Sequence, residues 1–491
     1  MRGHRARHAR AGRTRVCASA RRPEGAHAGS GSPRGHALSA AGPRPAPVDV
    51  AIVGGGLSGL SAARRLEAAG LSMVVLEARD RVGGKMWTEG VGGHPGDLGA
   101  HWIGPGQDRI AALARELGVR TSRQPLDGRA VLVTGGRRRT FRGSLPPLSP
   151  LSIAELGVAQ LRLDRLRRKI SLDYPWARAA GTDWDALTVE SFARRHLRTK
   201  DARMFMNLAT RLVFGAEPEE LSFLYFLFYL QSGGGFTSLT EFEGGAQQDH
   251  FMGGSQQVCE RLAARLDGLV RLRAPVSAVE QHGDAVVLRT ETGDAINARQ
   301  VIIAVSPALY GRWHWSRPLP PDRDQLTQRM PMGAYMKVLL AYEHVWWREA
   351  GLSGIAYSDT GPVQMVVDSG SHGPFGGLLA CFITGSAVER YGRMSLADRQ
   401  AAIRESLTRM FGPAAAAWSA YGECDWTTQP YSRGGPVGIM GPGTLGRYGQ
   451  ILRRPEGRIH WAGTDTANVW NGYMDGAIEA GERAAGEVLG R

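Results

Sequence analysis

The stretch Val48–Glu77, VDVAIVGGGLSGLSAARRLEAAGLSMVVLE, decides the fold. An apolar run, Val48–Val53, reads as a buried strand and leads straight into Gly54, Gly56 and Gly59, spaced G-x-G-x-x-G. A helical pattern follows over Leu60–Ala69 and closes at Gly70, and a second short apolar run, Leu71–Leu76, ends on Glu77. This is a β-α-β unit of about 30 residues. In such a unit the glycines allow a tight turn and a close approach of a pyrophosphate to the helix N-terminus, with Leu57 and Ser58 supplying backbone amides between them. Glu77 stands where a carboxylate accepts hydrogen bonds from ribose hydroxyls. Strand, glycines, helix, strand and acid in one unit predict a dinucleotide site rather than ordinary turn glycines.

Outward from this unit, the glycine- and proline-rich segment after Glu77 gives way to a helix over Asp108–Leu117. A second region of the same character comprises a helix over Ser255–Leu266 and strands within Val270–Val305. A third comprises a strand at Arg458–Ala462 and a helix from about Tyr473 to Leu489. The intervening segments differ: Leu151–Gln231 is helical and rich in arginine and leucine, and Met332–Trp426 mixes strands with helix. The expected class is therefore α/β, with the dinucleotide domain assembled from 48–122, 253–326 and 429–491. An α+β substrate domain, from 123–252 and 327–428, is inserted into it.

The chain has 491 residues and a formal charge of +14. Residues 1–47 hold ten arginines, one glutamate and no lysine, so +9 resides there and the body carries only +5. That concentration removes the argument for a polynucleotide partner of the body. The segment 1–47 has almost no large apolar side chain and is expected to be a disordered basic tail; Pro23, Glu24 and Gly25 follow Arg21–Arg22 where an export signal needs an apolar run. Cys17, Cys259, Cys381 and Cys424 show neither CxxC nor metal-ligand spacing, so no metal is expected and a reducing cytoplasm fits. The longest apolar stretch, Leu221–Leu230, is far short of the ~20 residues that span a bilayer. No membrane anchor is expected.

After the second strand the chain reads EARDRVGGK over Glu77–Lys85. This run, ExRxRxGG(R/K), resembles the flavin monoamine oxidase family of FAD-dependent amine oxidases. The resemblance extends from about Val48 to Leu489: Asp97–Arg109 (DLGAHWIGPGQDR), Phe251–Gln257 (FMGGSQQ), Pro331–Lys337 (PMGAYMK) and Ala462–Arg483 (AGTDTANVWNGYMDGAIEAGER) match in order. It implies a Rossmann-like FAD domain of the GR2 type. Ala78, Arg79, Gly83, Gly84 and Lys85 would join the pyrophosphate site, with Lys85 standing where arginine is usual. Gly99, Ala100, His101 and Trp102 would lie beside the isoalloxazine ring, Val276 near the adenine, and Trp426, Gly463, Thr464, Asp465, Tyr473 and Met474 along the rest of the cofactor. Asp465, just past a strand, can also be read directly as an acceptor for a ribityl hydroxyl, and a helix starting near Met474 as a positive end aimed at the flavin.

Two residues are expected to act in the reaction. Lys337 sits in an apolar stretch, GAYMKVLLAY, where desolvation lowers an ammonium's pKa; the resemblance gives it a water against the flavin and a part in reoxidation. Tyr473 resembles one wall of an aromatic substrate cage. The second wall departs from the family: Tyr431–Val437 reads YSRGGPV, so Gly435 replaces the cysteine that carries flavin covalently and Pro436 replaces the second tyrosine. Noncovalent FAD and an incomplete cage are expected, with Trp426 or Trp470 as candidates for the missing face or as core aromatics.

The implied reaction is oxidation of an amine to an imine with O2 reduced to H2O2, so an amine and O2 are the expected partners. The amine's identity stays open, as does the oligomeric state, a homodimer included. Amino acids, polyamines, apolar polyenes or porphyrinogens remain alternative substrates. An amino acid would need an arginine such as Arg211 or Arg433. A flavin-binding protein without turnover is the alternative of another class.

Overall fold

A computed structural model describes residues 14–16, 47–143, 146–179, 182–370 and 376–490. Two eight-stranded sheets organise it. The first is centred on Val48–Val53, which pairs in parallel with Met73–Leu76 on one side and with Ala295–Ile303 on the other. The long strand Ala295–Ile303 then divides its free edge. Its first half joins the antiparallel strand Ala285–Thr290, and its second half joins Ile459–Trp461 in parallel. Strands from three separated stretches of chain thus share one sheet.

Alternation within Val48–Val53 explains why the sheet is covered on both faces. Val50 and Ile52 point into a core built with the helices Leu57–Glu67, Asp108–Glu116, Gln257–Arg265 and Met474–Val488. Ala51 and Val53 point into a second core shared with Val279, Val286, Leu288, Trp461 and Tyr310. Leu57–Glu67 and Met474–Val488 lie directly against each other, and the Ser58 hydroxyl donates to the Ala462 carbonyl across them.

The second sheet is mixed, with the central order Ala420–Asp425, Tyr335–Tyr342, Gly377–Thr384, Met365–Asp368, Leu352–Ser358. Arg129–Thr134 and Arg137–Phe141 extend one edge, and the three described residues Thr14–Val16 lie parallel to Ala420–Asp425 at the other. The rest of the basic segment, residues 1–13 and 17–46, lies outside the described residues, and with it the expectation of disorder there. Met336, Val338, Leu340 and Tyr342 face the helix Leu396–Phe411, while Leu339 and Ala341 face the first sheet's glycine-rich segment. Lys337 shares the inward parity.

The apolar run Leu221–Leu230 forms the helix Phe223–Ser232, in which nine of ten residues are buried. It is the centre of a helical core with Pro150–Arg167, Val189–His196 and Lys200–Phe214. A helix apolar on all sides is a buried helix. Among the described residues none is long and apolar enough to cross a membrane.

Candidate functional site

A cavity of about 1730 Å³ runs from the glycine motif, between the two sheets, into the helical part. Its first end is backbone. The helix Leu57–Glu67 starts at Gly56 without a side-chain cap and without an acid in its first turn, so its amides are open to an anion. Gly54 adopts φ +110°, and a Cβ there would lie 2.9 Å from the Ala304 carbonyl. A Cβ on Gly84, at φ +58°, would lie 3.3 Å from the Gly56 Cα, so two glycines from separate turns face each other. The Glu77 carboxylate is buried and accepts from the amides of Gly55 at 2.7 Å and Arg79 at 2.8 Å. Arg79 donates to the Ser432 hydroxyl at 2.8 Å.

The second helix end is likewise uncapped. Met474–Val488 begins after Tyr473 with no side-chain cap, and the acid of its first turn, Asp475, accepts from the Ile110 amide at 3.0 Å. Asp465 is buried and accepts from Gly438 N at 2.9 Å. Lys85 donates to the Pro436 carbonyl at 2.6 Å; burial lowers its pKa and Asp465 opposes the shift. Two uncapped helix N-termini, a cradle of glycines and a buried carboxylate lie along one elongated cavity. They fit the two phosphates, the ribose and the electron-poor ring of FAD.

Between these ends sits a buried charged group. Lys337 donates to the Gly99 carbonyl at 3.2 Å, and its Nζ lies 5.2 Å from the Phe382 ring centre and 5.8 Å from that of Trp102. Burial pulls its pKa down to about 8, with Asp97 resisting. Asp97 accepts from Thr88 Oγ1 at 2.7 Å and Ser255 N at 2.9 Å. It also lies 3.2 Å from His101 Nδ1. Burial, then the nearby Lys337, pushes His101 down to about 4, so its imidazole is neutral at pH 7. The neutral ring therefore donates Nδ1–H to Asp97, and its Nε2 has no hydrogen-bond partner among the described residues. Gly99 is irreplaceable here, since a Cβ would lie 1.9 Å from the Lys85 carbonyl.

Of the residues expected at the site, all line this cavity except Gly59. Gly59 instead packs the helix onto the strand end, where a Cβ would lie 2.0 Å from the Gly54 carbonyl. Trp426 lines the cavity but is 3% exposed and donates to the Leu98 carbonyl at 2.9 Å, a core attachment. Trp470 stands behind Tyr473, edge-on at 5.1 Å, and donates to Gly106. Arg211 is bound to Glu217 at 2.6 Å away from the cavity, and Arg433 lies at the glycine-rich end beside Arg312.

Sequence reasoning missed Tyr229 and Tyr335. Both line the cavity, and the Tyr229 ring lies 6.1 Å from that of Tyr473. Tyr229 is hidden in an aromatic-rich helix that signals only core, while Tyr335, two residues before Lys337 on one strand face, was legible from the period of two. A Cβ on Gly435 would make only ordinary van der Waals contact, at 3.9 Å from Trp426 and 4.0 Å from Lys85, and among the described residues no cysteine lines the cavity. Burial pushes the Cys259 thiol up to about 12.

Residues 57–489 match the family model of flavin containing amine oxidoreductases. The chain is 37% identical to a probable flavin-containing monoamine oxidase A of Dictyostelium discoideum, covering 90% of this chain and 97% of the relative. It is 36% identical to a putative flavin-containing monoamine oxidase of Mycobacterium tuberculosis, over 90% and 96%. Among solved structures, putrescine oxidase bound to putrescine aligns with a TM-score of 0.87 at 32% identity, covering 91% of this chain and all of that one. Cyclohexylamine oxidase from Brevibacterium oxydans aligns with a TM-score of 0.85 at 33% identity, with the same coverage.

Proposed function

The chain belongs to the family of flavin-containing amine oxidoreductases, an FAD-dependent amine oxidase by that membership, and we propose that the cavity residues described above carry its reaction. The observation that bears most weight is the continuity of one cavity from the open Gly56 helix end, past Lys337, to a chamber lined by Tyr229, Tyr335 and Tyr473. Gly54, Gly56, Glu77, Arg79, Gly83, Gly84 and Lys85 would hold the dinucleotide half, and Asp465 and the Met474 helix end the flavin half. FAD supplies the acceptor for the two electrons leaving the amine and their transfer to O2, which becomes H2O2.

The protein's own part is binding, desolvation and placement of protons. The apolar chamber favours the neutral amine, whose nitrogen lone pair assists loss of hydride from the adjacent carbon. The carboxylate that faces Lys337, Asp97, is engaged by Thr88, Ser255 and His101, so the reacting nitrogen is best delivered without its extra proton. Lys337, poised near pH 8, can hold a water by either form of its amine. The imine product then hydrolyses to an aldehyde and ammonia or a smaller amine.

An amino acid substrate finds no support in the chamber, since Arg211 is engaged elsewhere and Arg433 lies at the dinucleotide end. The composition of the first sheet supports 48–122, 253–326 and 429–491 as the FAD domain of GR2 type, with 123–252 and 327–428 as the substrate domain. Noncovalent attachment is supported by a lining that holds no cysteine among the described residues, and a cytoplasmic setting by three buried free thiols. The deciding experiment is anaerobic mixing of purified holoprotein with a panel of amines while flavin absorbance is followed. Bleaching by at least one amine is expected. A preparation that stays colourless after reconstitution with FAD overturns the reading.

A further inference from the structure

The cavity as a whole has an unequal charge distribution. Its basic lining residues, Arg79, Lys85, Arg312 and Arg433, cluster at the glycine-rich end, and Lys337 lies midway. Beyond Lys337 the wall carries two carboxylates, Glu241 and Glu243, and among the described residues no cation. Glu243 is exposed at the rim, whereas Glu241 is drawn inward, immediately after the short helix Phe236–Thr240. The Glu241 carboxylate has no hydrogen-bond or ion-pair partner among the described residues. It is close enough to the half-buried Tyr357 side chain to disfavour that tyrosine's ionisation, after burial itself. Burial raises its own pKa, as expected of a carboxylate with nothing to neutralise it.

The path between this carboxylate and Lys337 is apolar. The ring of Phe242, the next residue, meets Trp102 edge-on at 6.1 Å; Trp102 stacks on Phe382 at 5.6 Å; and Lys337 Nζ sits 5.2 Å from Phe382. A row of three rings therefore joins an unpartnered anion at the outer end to the reaction centre. Such a lane fits methylenes along its length and an ammonium at its far end.

From this geometry we infer that Glu241 is a specificity residue that pairs with a second, distal cation on the substrate. The preferred substrates are then diamines or aminoalkyl cations rather than simple monoamines. This rests on the amine-oxidase reading and adds to it which amines are chosen. The distal ammonium stays charged against Glu241, while the nitrogen that reacts is delivered neutral into the aromatic chamber. The pairing replaces water around both charges in a partly buried place, where one partner without the other is costly.

The test compares holoenzyme turnover of 1,4-diaminobutane and 1,5-diaminopentane with butylamine and pentylamine by peroxide release, for the wild type, Glu241→Gln and Glu241→Asp. The wild type should favour each diamine over the monoamine of equal length by at least tenfold in kcat/KM. In Glu241→Gln that ratio should fall at least tenfold, through KM rather than kcat, and Glu241→Asp should restore part of it. Loss of turnover on both substrate types in equal proportion would assign Glu241 a structural role and overturn the inference. So would a wild type that prefers monoamines. Absence of flavin reduction by any amine would instead strike at the amine-oxidase reading itself, so the two failures are separable.

Discussion

Lys337 shows how a single side chain acquires chemistry from its surroundings. Its pKa in the fold, about 8, is below the ordinary 10.5, so the folded chain binds fewer protons than the unfolded one between those values. The cost of burying its charge is full at neutral pH and is relieved as pH rises from 8 towards 10.5. Replacing it, Lys337→Met, should therefore raise the thermal midpoint at pH 7. It should also slow the oxygen step by at least tenfold in stopped-flow mixing of the amine-reduced enzyme with O2, and abolish any pH dependence of that step centred near 8. Unchanged oxygen reactivity would remove the lysine from the reaction. His101 has the same sign in a more acidic window. Its pKa of about 4 lies below the ordinary 6.5, so stability is complete above pH 6.5 and is lost as pH falls towards 4. A shift of that size corresponds to about 3 kcal/mol. Urea titrations across pH 4–7 should show that slope in the wild type and lose most of it in His101→Gln. The lysine was legible as one cation in an apolar strand; the histidine was legible only by resemblance, because nothing local announces that Asp97 and Lys337 converge on it.

Among the elements, the two open helix ends are the most consequential. The helix Leu57–Glu67 begins within the glycine motif rather than at Leu60, three residues earlier than the apolar periodicity suggests. Glycines carry no hydrophobic signal, so a start made of backbone amides is invisible to a pattern of side chains. Gly59 shows a related limit. Motif reading assigns it to the cofactor, but it is a contact between helix and strand, and the distinction needs coordinates. Gly59→Ala places a methyl group against the Gly54 carbonyl, which must shift. The expected result is a loss on the order of 1–3 kcal/mol in apoprotein stability, together with weaker FAD retention on gel filtration. Full retention of both would show that the turn has slack. The strand Tyr335–Tyr342, by contrast, was readable in kind and in parity, since a period of two sends Lys337 inward and Met336 and Val338 outward.

For the molecule as a whole, the class of fold and three separated pieces of α/β character were readable because each piece repeats the strand-then-helix pattern. The pairing of those pieces was not, because register between strands hundreds of residues apart leaves no local trace. The division of the Ala295–Ile303 edge between Ala285–Thr290 and Ile459–Trp461 is such a case. The absence of a thiol along the described cavity makes a whole-molecule prediction: acid precipitation of the holoenzyme should leave all yellow colour in the supernatant and a white pellet, and a coloured pellet would contradict it. The shared sheet has a further consequence for biosynthesis. Val48–Glu77 leaves the ribosome first, and Ile459–Trp461, Asp465 and the helix Met474–Val488 begin to emerge only about 380 residues later. A nascent chain therefore carries half a cofactor grip until that strand and helix follow, and the enzyme can become yellow only from then on.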